Sequence, residues 1–247
     1  KVKNAGVEFA IIRLGFGYTV NMELVLDKYF QANLEGAKNQ GLKVGVYFYT
    51  YANTLEEIEE QAKFISDNLH GEELELGVTF DWENWNNFQD YQVSFYDLNN
   101  MYDNFSSILK NKGYDTMLYG SKFYLSNVWS TSNRKIWLAH YTSMTNYDKD
   151  FKLWQFSDKG LVDGINGFVD LVTTGTTDYE AGGVTNWYMQ IKRNPGWKFY
   201  HKGVDLYEKL TEKDSNGEYI NQWKFAKYLR ENKFASCLIS LGSSKKQ

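Results

Sequence analysis

Strand-like and helix-like segments alternate along the first half of this 247-residue chain. The strand-like segments are short apolar runs rich in branched and aromatic residues, and those between them carry apolar residues at helical spacing. Thr54 with Glu57 has the spacing of a capping box, and Gly41 and Gly113 follow two helical stripes where left-handed caps are expected. The pattern predicts strands over 7–12, 43–49, 76–80 and 116–119, with helices over 22–40, 55–69 and 98–109.

Alternation of this kind predicts an α/β fold with a parallel sheet, and we expect a TIM-like β/α barrel. The first strand is predicted to end at Arg13 and a glycine-containing loop over 15–17. Three later strand-like segments, over 136–141, 153–156 and 168–172, are separated by spacers with little helical periodicity. The later strands are therefore expected to have incomplete crossover helices. A doubly wound open sheet is the alternative architecture.

The regular alternation ends near residue 177, which predicts two parts. Residues 1–177 would form the barrel, and residues 178–247 a small α+β module or tail. Residues 1–175 hold 15 basic and 23 acidic side chains, whereas residues 176–247 hold 12 and 8. Because phosphate binding relies on Lys and Arg, the acidic body argues against nucleic acid as a partner.

Several other classes of protein are disfavoured. No apolar run approaches the roughly 20 residues that span a bilayer, so no membrane span is expected. Three histidines and one cysteine show no metal-ligand spacing, and no phosphate-binding glycine loop is present. We therefore expect neither a metal nor a cofactor.

The strongest candidate for a catalytic site is the pair Asp81 and Glu83, which follows the apolar run over 76–80. Residues two apart in a strand project to the same side, about 6–7 Å apart along the chain. Two neighbouring acids repel one another, so that one is driven towards its protonated form while the other stays ionised, as glycoside hydrolysis requires. Acids that merely solvate a loop are the alternative interpretation.

Two further polar residues lie near predicted strand ends. Asp170 lies in the last strand-like segment, and an ordinary strand-end aspartate is the alternative to a functional one. Arg13 ends the first strand, where its guanidinium would hold a carboxylate ionised or contact substrate. A structural ion pair explains Arg13 equally well.

Several segments, taken in order, resemble glycoside hydrolase family 25, the Chalaropsis-type lysozymes, over about residues 1–175. The matching segments are Lys1–Arg13, Gly45–Tyr49, Phe80–Glu83, Trp137–Tyr141 and Leu153–Phe156.

The resemblance implies hydrolysis of the β-1,4 bond between N-acetylmuramic acid and N-acetylglucosamine in bacterial peptidoglycan. It implies that Glu83 is the general acid, that Asp81 is the first acid of the pair, and that Asp170 orients the acetamido group or water. The resemblance also places five residues along the groove that binds the substrate: Tyr49, Tyr119, Tyr141, Trp154 and Gln155.

The sequence departs from the family at two places. The family's first strand, with another active-site aspartate, is expected before Lys1, in a longer precursor or in a separate chain that completes the barrel. Val172 stands where the family often has asparagine. A catalytically silent wall-binding or virion structural protein is therefore the alternative function. A chitinase-like barrel is a third, but Thr79 and Leu76 stand where it needs acids.

The resemblance also predicts where the protein works. We expect action at the bacterial cell wall, by a secreted, phage-released or virion-associated protein. In the tail, aromatic residues interleave with lysines, which would suit anionic wall polymers. An aromatic core with a solvated basic face is the other interpretation of the tail.

Overall fold

The computed structural model describes residues 1–17, 23–142 and 145–174, together with 200–201, 204–205 and 215. The chain divides into two compact units. One comprises residues 8–139, here called the sheet unit. The other comprises residues 1–7 and 140–247, here called the hairpin unit.

The sheet unit is a mixed α/β structure. Its strands are β1 (Phe9–Gly17), β2 (Leu24–Leu26), β3 (Lys43–Thr50), β4 (Val78–Trp82), β5 (Thr116–Ser121) and β6 (Ile136–Ala139). Its helices are α1 (Phe30–Asn39), α2 (Leu55–Leu69), α3 (Phe95–Asn111) and α4 (Lys122–Asn127), with a 3-10 helix over Trp85–Tyr91. The strand order is β2-β1-β3-β4-β5-β6, parallel except that β2 runs antiparallel to β1.

One face of this sheet packs against the helices. Phe48 of β3 meets Phe64 of α2, with ring centroids 5.9 Å apart, and Phe80 of β4 meets Phe105 of α3 at 5.0 Å. Because side chains alternate along a strand, neighbouring residues face the other way. The residues on that second face include Tyr47, Tyr49, Thr79, Asp81, Met117 and Tyr119.

The predicted helix ends are largely confirmed. Thr54 and Glu57 form a capping box at the start of α2, and Ser94 forms a second one with Asp97 at the start of α3. Gly41 and Gly113 have φ values of 68° and 89°, the left-handed conformation that glycine adopts without steric cost.

The sequence-based prediction was wrong at the first strand and the first helix. The glycines at 15 and 17 lie within β1, where a Cβ at Gly15 would collide with the carbonyl oxygen of Val25 and one at Gly17 with Leu24. Both glycines therefore permit the close approach of β2. Helix α1 begins only at Phe30, because Leu24–Leu26 forms β2.

The hairpin unit corrects the expectation of an all-parallel sheet. Strands β7 (Leu153–Gly160) and β8 (Val169–Thr174) pair antiparallel, with Ser157 opposite Leu171 and Gly160 opposite Val169. Asp170 is therefore the second residue of β8 rather than the end of a parallel strand. The antiparallel pairing nevertheless places it beside the carboxyl half of β7.

The later connections have little helix, as predicted. Only the six-residue α4 lies between β5 and β6, and residues 140–142 and 145–152 contain no helix. Most of the predicted module over 178–247 lies outside the described residues. Its described part includes β9 (Tyr200–His201), which pairs antiparallel with β10 (Val204–Asp205). None of the helices described here is long and apolar enough to cross a membrane.

Candidate active site

The paired acids lie at the carboxyl end of β4. Asp81 is inside the strand and only 6% exposed, whereas Glu83, the first residue after the strand, is half-buried. Between them, the fully buried Trp82 donates a hydrogen bond from its indole Nε1 to the carbonyl oxygen of Ala52, over 2.9 Å. This anchor fixes the backbone from which both carboxylates project.

Tyr49 is the neighbour of Asp81 on the adjacent strand. The parallel register pairs the Cα atoms of Tyr49 and Asp81 directly. The pKa of Tyr49 is raised above its usual value, first by burial, then by its hydrogen bond with Tyr51, and further by the negative charges of Glu83 and Asp81. Tyr49 therefore remains a neutral phenol, and its hydroxyl lies in the field of both carboxylates.

Tyr119 and Trp137 continue the same face of the sheet. Their Cα atoms are paired across β5 and β6, and their rings meet edge to face with centroids 5.0 Å apart. Both residues are buried, and the Nε1 of Trp137 has no hydrogen-bond partner among the described residues. The sequence analysis named Trp137 only within a matching segment, because its contact with Tyr119 depends on the pairing of β5 with β6.

Arg13 is held by an ion pair. Its Nε and Nη2 atoms lie 2.7 and 2.6 Å from Oδ2 of Asp27, which follows β2. The other carboxylate oxygen, Oδ1, accepts a hydrogen bond from the backbone N–H of Tyr29 just before α1. Arg13 thus joins β1 to the segment between β2 and α1, which is the structural interpretation of this residue.

In the hairpin unit, Gln155 links two of the expected site residues. Its Nε2 donates to the hydroxyl oxygen of Tyr141 over 2.9 Å, and its side chain also hydrogen-bonds to Asp170. The pKa of Asp170 is raised, chiefly because the surrounding protein displaces water from its carboxyl group and also because Asp158 is close. The hydrogen bond with Gln155 opposes this rise. The side chain of Asp170 itself remains exposed.

Trp154 has a packing role in this structure. It is 1% exposed, and its Nε1 donates to the carbonyl oxygen of His140 over 2.9 Å. Among the described residues, no group of three or more histidine, cysteine, aspartate or glutamate side chains is arranged to hold a metal ion.

An α/β sheet with paired carboxylates at a strand end is an arrangement suited to glycoside hydrolysis. The profile of Glycosyl hydrolases family 25 matches residues 1–165. The chain therefore belongs to glycosyl hydrolases family 25. The matched range includes Asp81 and Glu83 and ends five residues before Asp170.

The autolytic lysozyme of Clostridium acetobutylicum is 32% identical over 173 residues, which is 69% of this chain. The chain spans 49% of the length of that relative.

Solved structures share the fold. The bacterial lysozyme from Streptomyces coelicolor superposes with a TM-score of 0.60 at 22% identity, over 72% of this chain and 86% of that one. The modular autolysin LytC from Streptococcus pneumoniae, solved with a synthetic peptidoglycan ligand, gives 0.59 at 23% identity. That match covers 70% of this chain and 42% of LytC.

Proposed function

We propose that this chain is an N-acetylmuramidase that cleaves the β-1,4 bond between N-acetylmuramic acid and N-acetylglucosamine in peptidoglycan. The observation that carries the proposal is the placement of Asp81 and Glu83 on one side of the end of β4, with the neutral phenol of Tyr49 beside them. Family membership and the 32% identity to an autolytic lysozyme support the same activity.

Glu83 is the general acid in this proposal. It donates a proton to the glycosidic oxygen as the bond from the anomeric carbon to that oxygen breaks, and a water molecule then supplies the new hydroxyl group. Asp81 is the more deeply buried of the two acids and lies closer to Tyr49 along the strand pairing. As an anion, Asp81 stabilises the positive charge that develops on the sugar ring.

Asp170 is the third acid predicted from the sequence. Asp170, held by Gln155, is proposed to orient the acetamido group or a water molecule, with Tyr141 bound to the same glutamine. Tyr119 is proposed to line the groove in the sheet unit. Trp154 stays a predicted substrate-binding residue, although its Nε1 is already bonded to the carbonyl oxygen of His140.

Three further expectations from the sequence belong to this proposal. We keep the TIM-like barrel as the architecture of residues 1–177, action at the bacterial cell wall, and binding of anionic wall polymers by residues 178–247. A phage lysin or virion origin stays a prediction.

The test compares Glu83→Gln with the parent chain on purified Gram-positive walls, measuring the release of reducing ends. The parent is expected to release N-acetylmuramic acid ends, and Glu83→Gln to lose at least about a hundredfold in rate, because its amide cannot donate the proton. Glu60→Gln, an exposed change on α2, is the matched control. A parent chain that binds walls but releases no sugar would favour the silent wall-binding alternative.

A further inference from the structure

A loop of the hairpin unit contains an asparagine that is followed by a glycine. Residues 161–168 join β7 to β8, and Asn166 with Gly167 lies near the end of this loop, outside any helix or strand. Both residues are exposed. Such a pair is prone to lose the side-chain amide of asparagine, because the glycine nitrogen can approach the amide carbon without interference from a Cβ. In a folded chain, this reaction requires that the nitrogen be free to move.

The first half of the loop is held in place. The backbone N–H of Ile165 donates to the carbonyl oxygen of Val162 over 3.0 Å. Gly164 has a φ of 98°, and it lies so close to the N-terminal segment that a Cβ on it would be 2.7 Å from the Cβ of Lys1. The backbone at position 164 is therefore fixed against another segment of the same unit.

The second half of the loop has no such restraint. Neither Asn166 nor the backbone N–H of Gly167 makes a hydrogen bond to any residue that the structure describes. Gly167 has a φ of 98°, and a Cβ at this position would meet no atom within 4 Å. The Gly167 nitrogen therefore has the space and the freedom that an attack on the Asn166 side chain requires.

Asn133 is the matched comparison within the same chain. It is exposed and lies in a turn of the sheet unit, with a φ of 60°. The next residue is Arg134, whose Cβ hinders the approach of its nitrogen, and its backbone N–H donates to the carbonyl oxygen of Thr131. Asn133 thus matches Asn166 in exposure, but the nitrogen that follows it is neither unhindered nor free.

We propose that Asn166 is a site of spontaneous modification to isoaspartate. The Gly167 nitrogen forms a bond to Cγ of Asn166 as the bond from Cγ to the amide nitrogen breaks, and the proton of the Gly167 nitrogen leaves with the amide as ammonia. Water then opens the cyclic imide at either carbonyl carbon, which gives aspartate or isoaspartate at position 166. The reaction consumes only water.

Isoaspartate would change the loop in two ways. It replaces a neutral amide with a carboxylate, and it adds one methylene group to the backbone between Ile165 and Gly167. The length of a hairpin loop helps to fix the pairing of its strands, and these strands carry Gln155 and Asp170. The longer backbone is therefore expected to disturb the pairing that brings these two side chains together. The modification itself is independent of the proposed function, whereas its effect on activity rests on that function.

The test incubates the full chain at mildly alkaline pH and follows each asparagine by peptide mapping. Isoaspartate is expected to accumulate at position 166 about tenfold faster than at position 133, because glycine leaves its nitrogen more freedom than arginine does. Asn166→Gln is expected to abolish the product at this position, because the longer side chain closes the imide ring far more slowly. Asn216, which also precedes a glycine, lies outside the described residues and is resolved in a separate peptide. Accumulation at position 166 no faster than at position 133 would overturn the inference.

A second readout separates the new charge from the added methylene group. Freshly prepared Asn166→Asp carries the charge without the longer backbone, so we expect it to keep the kcat/KM of the parent on purified walls. The isoaspartate fraction of the aged chain is expected to lose at least about tenfold in kcat/KM, because the site residues of β7 and β8 are displaced. Equal values for this fraction and the parent would overturn the effect on the site. Because peptide mapping needs no turnover, a chain that forms isoaspartate at position 166 but releases no sugar refutes only the proposed activity.

Discussion

Tyr49 of β3 and Asp81 of β4 lie directly opposite each other in the parallel register, on the face of the sheet turned away from α2 and α3. The charges of Asp81 and Glu83 both help to raise the pKa of the Tyr49 phenol, after burial and the hydrogen bond with Tyr51. A phenol that stays protonated keeps its single O–H as a hydrogen-bond donor, and the side chain of Tyr49 is positioned by its hydrogen bond with Tyr51. The pairing of β3 with β4 therefore determines which charges act on the Tyr49 phenol.

Replacing Tyr49 with phenylalanine is expected to lower kcat/KM by about ten- to a hundredfold, because one preorganised donor is lost. Since the pKa of Tyr49 is raised above the ordinary value of 10.0 for a tyrosine, the loss should be constant across the acid and neutral range. Tyr47→Phe, two residues earlier on the same face, is the control. A pH-rate profile of all three proteins checks this, and equal losses in both variants would contradict a special role for Tyr49.

Arg13→Gln is expected to lower the free energy of unfolding by about 0.5–1 kcal/mol at pH 7, the range for a partly exposed ion pair. The pKa of Asp27 is held low first by the Tyr29 N–H and then by Arg13. Stability from a lowered carboxyl pKa is present above the ordinary value of 3.8 and is lost as the pH falls through the folded-state value. Urea unfolding should therefore show the difference between the proteins shrinking below pH 3.8.

The same variant distinguishes two roles of Arg13. A structural ion pair predicts that kcat and KM change little under conditions where the protein is fully folded. A large rise in KM without a matching loss of stability would show that Arg13 contacts substrate.

Asp158→Asn is expected to lower the pKa of Asp170, because it removes a nearby negative charge, whereas Gln155→Leu is expected to raise it by removing a hydrogen bond to the carboxylate. With its raised pKa, Asp170 holds its proton more tightly in the folded chain than in the unfolded one. Ionisation of Asp170 therefore lowers the free energy of unfolding as the pH rises from 3.8 through the folded-state pKa. Carboxyl-carbon NMR titration measures both shifts, with Asp163→Asn as control. Shifts in the same direction for both variants would contradict this network.

Two glycine substitutions are expected to have opposite signs. Gly15→Ala should destabilise the protein by about 1–3 kcal/mol, because the added Cβ meets the backbone oxygen of Val25 and β2 must move. Gly36→Ala should stabilise it by about 0.5–1 kcal/mol, because position 36 lies within α1 with open space around it. Thermal unfolding of both variants checks the pair. A neutral Gly15→Ala would show that β2 does not lie so close to β1.

Local signals in the sequence were sufficient to predict much of the secondary structure of the sheet unit. The capping box at Thr54 and the glycine after α3 are encoded within a few residues, so the structure confirms them. The spacing of Asp81 and Glu83 predicts that they share a side, and the charges of both help to raise the pKa of Tyr49. By contrast, Leu26 mimics the spacing of a helix but lies in β2, because Gly15 and Gly17 make room for that strand across β1.

The sequence by itself determined the α/β class, the family and the two acids at the end of β4, because these depend on short-range patterns and ordered motifs. Only the tertiary structure decided the antiparallel direction of β8, the capture of Arg13 by Asp27 and the stacking of Tyr124 on Trp85. Each of these depends on contacts between residues that are distant in the chain, such as Trp85 and Tyr124. No local periodicity records which of the many possible partners such a residue meets.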